Sequence, residues 1–221
     1  MKVLLFGATG MVGQGVLREC LQAADVETVV TVGRSAAGQN HAKLKEIVHT
    51  DLVDYRSLES ELQGFDACFF CLGVSSAGLS EEAYSRVSYD VTLAAAQTLV
   101  RLNPQMTFIY VSGAGTDSSE KGRTMWARVK GRTENALQRL PFKAVFLFRP
   151  GVIQPLHQLQ SKTRSYRIFY SLFGALLPLA RRWWPNQVLT TEVIGVAMLN
   201  LVRHGGSKAV LETKDINAAA Q

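Results

Sequence analysis

The sequence predicts a doubly wound α/β domain: a mostly parallel sheet with helices on both faces. Short apolar runs without polar alternation predict the sheet, because strands buried on both faces need no polar side. Segments with helical spacing fall between those runs in regular alternation, the pattern that builds parallel strand pairs. A glycine-rich turn, GATGMVG at Gly7 to Gly13, separates the first run from the first helical segment.

KVLLF (2–6) reads as the first strand, and Val12, Val16, Leu17 and Leu21 follow helical spacing just after the turn. VETVVTV (26–32) and LKEIVH (44–49) read as the second and third strands, and DACFFCL (66–72) as the fourth. A long helix over 81–102 ends at Asn103-Pro104, and MTFIYVS (106–112) is the fifth strand. Trp126 to Leu140 is a helix stopped by Pro141, followed by KAVFLF (143–148) as the sixth strand. Thr191 is placed as the cap of a helix from Glu192 to His204, closed by Gly205, with Arg203 and His204 suiting the dipole of its last turn. KAVLE (208–212) is a last strand.

At 221 residues the chain reads as one domain able to bury a large core. Composition is that of a globular protein, with 47% hydrophobic and 19% charged residues, which argues against disorder. Cys68 and Cys71 form a C-x-x-C, but residues three apart on a strand point to opposite faces, so they read as structural thiols. No second C-x-x-C accompanies them, and His41, His49, His157 and His204 make no ligand-spaced cluster; no metal site is expected. No secretory signal follows Met1 and Lys2, so a cytoplasmic chain with reduced thiols is expected.

The net charge of +6 is uneven: residues 1–150 carry +1 and residues 151–221 carry +5. Lys162, Arg164, Arg167, Arg181 and Arg182 flank an apolar stretch, Ile168 to Ala180, whose 13 residues are too few to cross a bilayer. With Trp183 and Trp184 beside it, this 162–184 segment suits peripheral contact with an anionic membrane, a lid over an apolar substrate, or a core helix with solvated basic ends. The charge is not interleaved along a strand or recognition helix, so no nucleic-acid face is expected.

Chemistry enters at Gly7, Ala8, Thr9, Gly10, Met11, Val12 and Gly13. Glycines spaced this way between strand and helix permit a tight turn, close approach to a pyrophosphate, and phosphate contact with the helix N-terminus. An acidic residue at the end of the second strand would bind the ribose 2'-hydroxyl of NAD. Arg34 and Ser35 stand there instead, and a guanidinium suits a 2'-phosphate, so NADP(H) is preferred over NAD(H); a solvated surface arginine is the alternative.

These motifs, with TDLVD (50–54), CLGVSSAG (71–78), YVSGAG (110–115), VKG (129–131) and RPGVIQP (149–155), resemble the short-chain dehydrogenase/reductase superfamily. The likeness is to its atypical NmrA-like and Tat-interacting-oxidoreductase-like branch, and it covers nearly the whole chain. The resemblance implies a Rossmann fold, with residues 154–186 as a small C-terminal substrate-pocket or lid region. It places Asp51 and Leu52 beside the adenine and Cys71, Leu72 and Gly73 along the adenosine ribose. It places Lys130 on the nicotinamide ribose and Pro150, Gly151, Val152 and Ile153 near the carboxamide.

One departure bears on function. In the superfamily a Y-x-x-x-K pair shares a helical face, and the tyrosine passes a proton to the substrate oxygen. Here Trp126 precedes Lys130 by four residues, and an indole N–H is no acid at neutral pH. The hydroxyl that orients a substrate oxygen falls at Ser112, with Thr116 as the alternative. Two functions follow: an NADP(H)-dependent reductase or epimerase-like enzyme acting on a small apolar carbonyl compound, or a catalytically reduced NADP(H)-binding redox sensor or regulator of a protein partner, placed at a membrane surface if 162–184 binds there.

Overall fold

The computed structural model describes residues 1–156 and 188–221, so the 162–184 segment and most of the expected lid lie outside the described residues. Nine strands are described: β1 (Lys2–Phe6), β2 (Thr28–Gly33), β3 (Leu44–Val48), β4 (Ala67–Phe70), β5 (Thr107–Val111), β6 (Ala144–Arg149), β7 (Val152–Gln154), β8 (Val188–Thr190) and β9 (Val210–Glu212). Seven form one sheet in the order β3-β2-β1-β4-β5-β6-β9, and every pairing in it is parallel. β7 and β8 form a separate parallel pair.

The alternation of side chains along each strand divides the core in two. Val3, Leu5, Ala67, Phe69 and Ile109 point to one face, where α1 (Met11–Gln22) and α5 (Thr191–His204) pack. Leu4, Phe6, Cys68, Phe70, Phe108 and Tyr110 point to the other, which α3 (Val91–Leu102) and α4 (Met125–Gln138) cover. Cys68 thus lies in one cluster while Cys71 packs against the opposite one, and all three cysteines are free thiols.

Glycine lets α1 and α5 cross closely. A Cβ on Gly15 would stand 2.5 Å from Thr191 Cβ, and one on Gly195 would stand 2.7 Å from Glu19 Cγ.

The expected helix over 81–102 is broken by a π turn at Arg86–Asp90, which leaves a short α2 (Glu81–Ser85) ahead of α3. Ser80 caps α2, its hydroxyl accepting the Ala83 amide at 3.2 Å. The cap of α5 is Thr190, not Thr191: the Thr190 hydroxyl accepts the Val193 amide at 3.1 Å, while Thr191 is already helical. Helix α6 (Thr213–Ala219) was not expected, although Glu212 and Asp215 form a capping box at its start.

Candidate functional site

The chain leaves β1 through Gly7, whose φ of +81° is a left-handed conformation that only glycine adopts without strain. Close approach also excludes a side chain there, because a Cβ would fall 2.5 Å from Leu72 N and 2.6 Å from the Cys71 carbonyl carbon. A Cβ on Gly13 would meet Gly7 O at 2.1 Å, so the first turn of α1 sits directly on the end of β1. The Gly10 amide donates to Gly7 O at 2.9 Å, and Gln14 N–H closes the first helical bond onto Gly10 O at 2.8 Å. Gly10 caps α1 without a side-chain bond and no acid occupies the first turn, so this helix end keeps its amides and positive dipole for an anion. The cradle therefore fits a pyrophosphate.

Next to this turn, β2 ends at Gly33, and the His49 amide donates to Gly33 O at 2.9 Å, bringing the exit of β3 alongside Arg34 and Ser35. Both residues are exposed, and Arg34 makes no ion pair among the described residues. Glu46 on β3 holds the loop beyond, accepting the Ala37 amide at 2.5 Å. Asp51 is exposed and accepts the Val53 amide at 3.1 Å, while Leu52 is buried beside it. On the other side of β1, Cys71 N–H donates to Phe6 O at 2.9 Å, so Cys71, Leu72 and Gly73 run along the glycine turn.

Lys130 is 6% exposed on α4. Its Nζ donates to Val111 O at 3.1 Å, at the end of β5, and lies 4.8 Å from the centre of the Tyr110 ring. A Cβ on Gly73 would be 3.9 Å from the same nitrogen, so the ammonium faces the exit of β4. Desolvation lowers its pKa below the ordinary lysine value, an effect that Tyr84 and Glu134 oppose. The Ser112 hydroxyl lies 2.6 Å from Glu134 Oε1 and 3.0 Å from Phe148 O. Glu134 is fully buried and ion-paired with Arg149 at 2.5 Å, and this pair ties the Ser112 turn to the end of β6. Thr116 donates to Gly113 O at 2.7 Å, closing its own turn.

The Trp126 indole lies over the turn after β5. A Cβ on Gly113 or Gly115 would stand 3.8 Å or 3.7 Å from its ring. At the end of β6, the Pro150 carbonyl accepts the Ala114 amide at 2.9 Å and the Gly151 amide donates to Thr213 Oγ1 at 2.9 Å. Val152 and Ile153 then enter β7.

Gly7 to Gly10, Arg34, Ser35, Cys71 to Gly73, Ser112, Pro150 and Gly151 follow strand ends, Asp51 and Leu52 lie in the loop after β3, Met11 to Gly13 open α1, Val152 and Ile153 lie in β7, and Lys130 reaches the end of β5 from α4. The glycine turn stands where the chain reverses from β2 on one side of β1 to β4 on the other, the place where open α/β sheets bind ligands. One buried residue of the neighbouring α2, Tyr84, has no sequence spacing to mark it. Among the described residues no cluster of His, Cys, Asp or Glu could hold a metal ion.

The chain is 28% identical over 219 residues to Protein HTATIP2 of Rattus norvegicus, covering 97% of this chain and 87% of that protein. Protein fmp52, mitochondrial, of Emericella nidulans is 28% identical over 206 residues, 90% of this chain and 85% of the relative. The crystal structure of the Bordetella bronchiseptica enzyme WbmF in complex with NAD+ and UDP shares the fold, with a TM-score of 0.70 and 14% identity. That likeness covers 96% of this chain and 71% of WbmF. The family described as NAD(P)H-binding matches residues 7–143, from the glycine turn to the start of β6. With that match over more than half its length, on a Rossmann-like parallel sheet, the chain belongs to the NAD(P)H-binding family.

Proposed function

We propose that this chain binds NADP(H) in preference to NAD(H) and reduces a small, largely apolar carbonyl compound. The observation that carries the reading is one sheet edge holding an open glycine turn, an exposed Arg34 without an ion pair among the described residues, and a buried Lys130. When bound, the cofactor supplies hydride to the carbonyl carbon. The amides of the first turn of α1 hold its pyrophosphate, and Arg34 with Ser35 holds the 2'-phosphate. Lys130 spends one of its three donors on Val111 O and has others to direct at the nicotinamide ribose from beside Gly73. Glu134 holds Ser112 at the mouth of the β5 turn, where its oxygen meets the substrate. Exposed Val74, Leu79 and Val152, which follow β4 and β6, give the cleft an apolar rim.

Arg34→Ala tests the cofactor assignment. Losing a charge-assisted contact costs about 1.5–3 kcal/mol, so NADPH should bind at least about tenfold more weakly by fluorescence titration, with NADH little changed. Equal wild-type affinity for the two cofactors would reject the preference.

A second reading is favoured by Trp126, whose indole occupies the turn where a substrate carbonyl would approach. Under it the chain binds NADP(H) as a sensor or regulator. This reading expects no NADPH consumption by the wild type with a panel of aldehydes and ketones, and turnover gained by Trp126→Tyr.

A further inference from the structure

We propose that Ser112 receives a hydrogen bond from the substrate and gives none to it, so the carbonyl compound that fits this site carries a hydroxyl group near its carbonyl. Glu134 is the positioning residue that sets this polarity. The assignment deepens the reductase reading above and rests on it.

A serine hydroxyl has one hydrogen and two lone pairs, and at Ser112 the hydrogen is already committed. Oγ lies 2.6 Å from Glu134 Oε1 and 3.0 Å from Phe148 O, and neither the carboxylate nor the carbonyl has a hydrogen to return. Phe148 O already accepts the Ser112 amide at 2.8 Å, whereas the carboxylate offers the shorter, charge-assisted bond, so the hydrogen goes to Glu134. Two guanidinium contacts fix that carboxylate: Arg149 Nε donates to Oε1 at 3.1 Å and Nη2 to Oε2 at 2.5 Å. Arg149 is anchored in turn on Ser118 Oγ at 2.6 Å and Glu212 Oε1 at 3.4 Å. Glu134 is fully buried, so no water replaces the serine if its hydrogen turns away.

Ser112 itself is only partly buried, and no described donor reaches its oxygen. Its lone pairs are therefore what the site offers. A ketone or aldehyde oxygen carries lone pairs only and gains nothing there, whereas a hydroxyl group can donate. For Ser112 to donate to a carbonyl it would have to abandon a buried carboxylate, and an unsatisfied buried acceptor costs more than one hydrogen bond returns.

The position of the oxygen suits a substrate group. Ser112 follows β5 directly; Val111 O before it takes the Lys130 ammonium at 3.1 Å, and the Trp126 indole lies over Gly113 and Gly115 after it. The serine thus stands along the turn between the residues that meet the lysine and the indole. Thr116 does not duplicate it, being 6% exposed with its hydroxyl donating to Gly113 O at 2.7 Å.

NADPH consumption with paired compounds tests the assignment: alkyl ketones, and the same ketones bearing a hydroxyl on the first or second carbon from the carbonyl. One hydroxylated series should exceed its parent ketones in kcat/KM by at least about fivefold, the worth of one hydrogen bond. Ser112→Ala should bring that ratio to within about twofold of unity, and Ser112→Thr, which keeps the hydroxyl, should retain the preference. Glu134→Gln, which weakens the hold on the serine hydrogen, should lower the ratio; a carboxylate that only supported the fold would change both series alike. Neutron diffraction from deuterated crystals should show the Ser112 deuteron directed at Glu134 Oε1. Equal rates within pairs, or a preference that survives Ser112→Ala, overturns the substrate assignment and leaves the reductase reading standing. NADPH affinity falling more than about threefold in Ser112→Ala also overturns it, by placing the cofactor on the serine. A deuteron directed away from Glu134, or an unchanged ratio in Glu134→Gln, overturns the positioning role. Wild-type protein that binds NADPH but reduces neither series overturns the reductase reading and the substrate assignment with it.

Discussion

Burial holds Lys130 below the ordinary lysine pKa because few water dipoles reach its ammonium, so this residue costs the fold stability. Between that lowered value and the unfolded lysine value of about 10.4, the unfolded chain binds more protons than the folded one. Stability should therefore rise with pH across that window and level off above it. Lys130→Met should remove the rise and hold or raise Tm at pH 7, while NADPH binding falls at least about tenfold with the loss of a charge-assisted hydrogen bond. Thermal melts at pH 7 and pH 10 check this; a lower Tm at pH 7 would show that the Val111 bond and Tyr110 contact outweigh desolvation. The thiols make a related case. Burial pushes Cys71 up to about 12 and raises Cys20 and Cys68 as well, so thiolate is scarce at neutral pH. A disulfide reagent at pH 8 should leave all three unmodified in the native protein and titrate them after unfolding; rapid native labelling of Cys71 would reopen the redox reading of the C-x-x-C.

Helix α1 has to meet two demands, presenting its N-terminus to a phosphate and lying close against α5. The second depends on Gly15 and Gly195, where added methyl groups would overlap Thr191 and Glu19. Gly15→Val should destabilise the protein by about 1–3 kcal/mol through overpacking, measured by urea unfolding. An unchanged midpoint would mean that the two helices separate at no cost. Helix α2 has a different task, since its clamp to α4 positions one tyrosine and its five residues bury little else. For the basic apolar segment 162–184 we propose contact with an anionic membrane surface. The protein should then sediment with anionic vesicles at low salt and be released as ionic strength rises, because exposed charges are screened. Protein left in the supernatant at low salt would favour a pocket lid or a packed helix instead.

Across the whole molecule, the carboxyl edge of the parallel sheet gathers residues from Gly7 to Ile153, so a ligand there ties together most of the chain. A ligand that binds only the folded state stabilises it by about 2.7 kcal/mol at a concentration 100 times its Kd. NADPH should accordingly raise Tm in a concentration-dependent way, and NADH at equal concentration should raise it less; equal shifts would argue against a role for Arg34. The fold class was legible in the sequence because its signals are local. Apolar runs such as KVLLF and AVFLF, the glycine turn, and stops such as Pro104 and Pro141 each act within a few residues. The same locality made the turn after β1 readable, since its glycines follow the strand directly. The π turn, the shift of the α5 cap to Thr190, and the β7–β8 pair were not legible, because they depend on which neighbour each backbone group meets. By itself, then, the sequence determined a parallel α/β sheet with a glycine-rich turn after its first strand, and a later helix that carries Trp126 one turn before Lys130. Only the tertiary structure decided that Glu134 joins Ser112 to Arg149. Side chains meet across packed helix faces, and no spacing along the chain encodes that meeting.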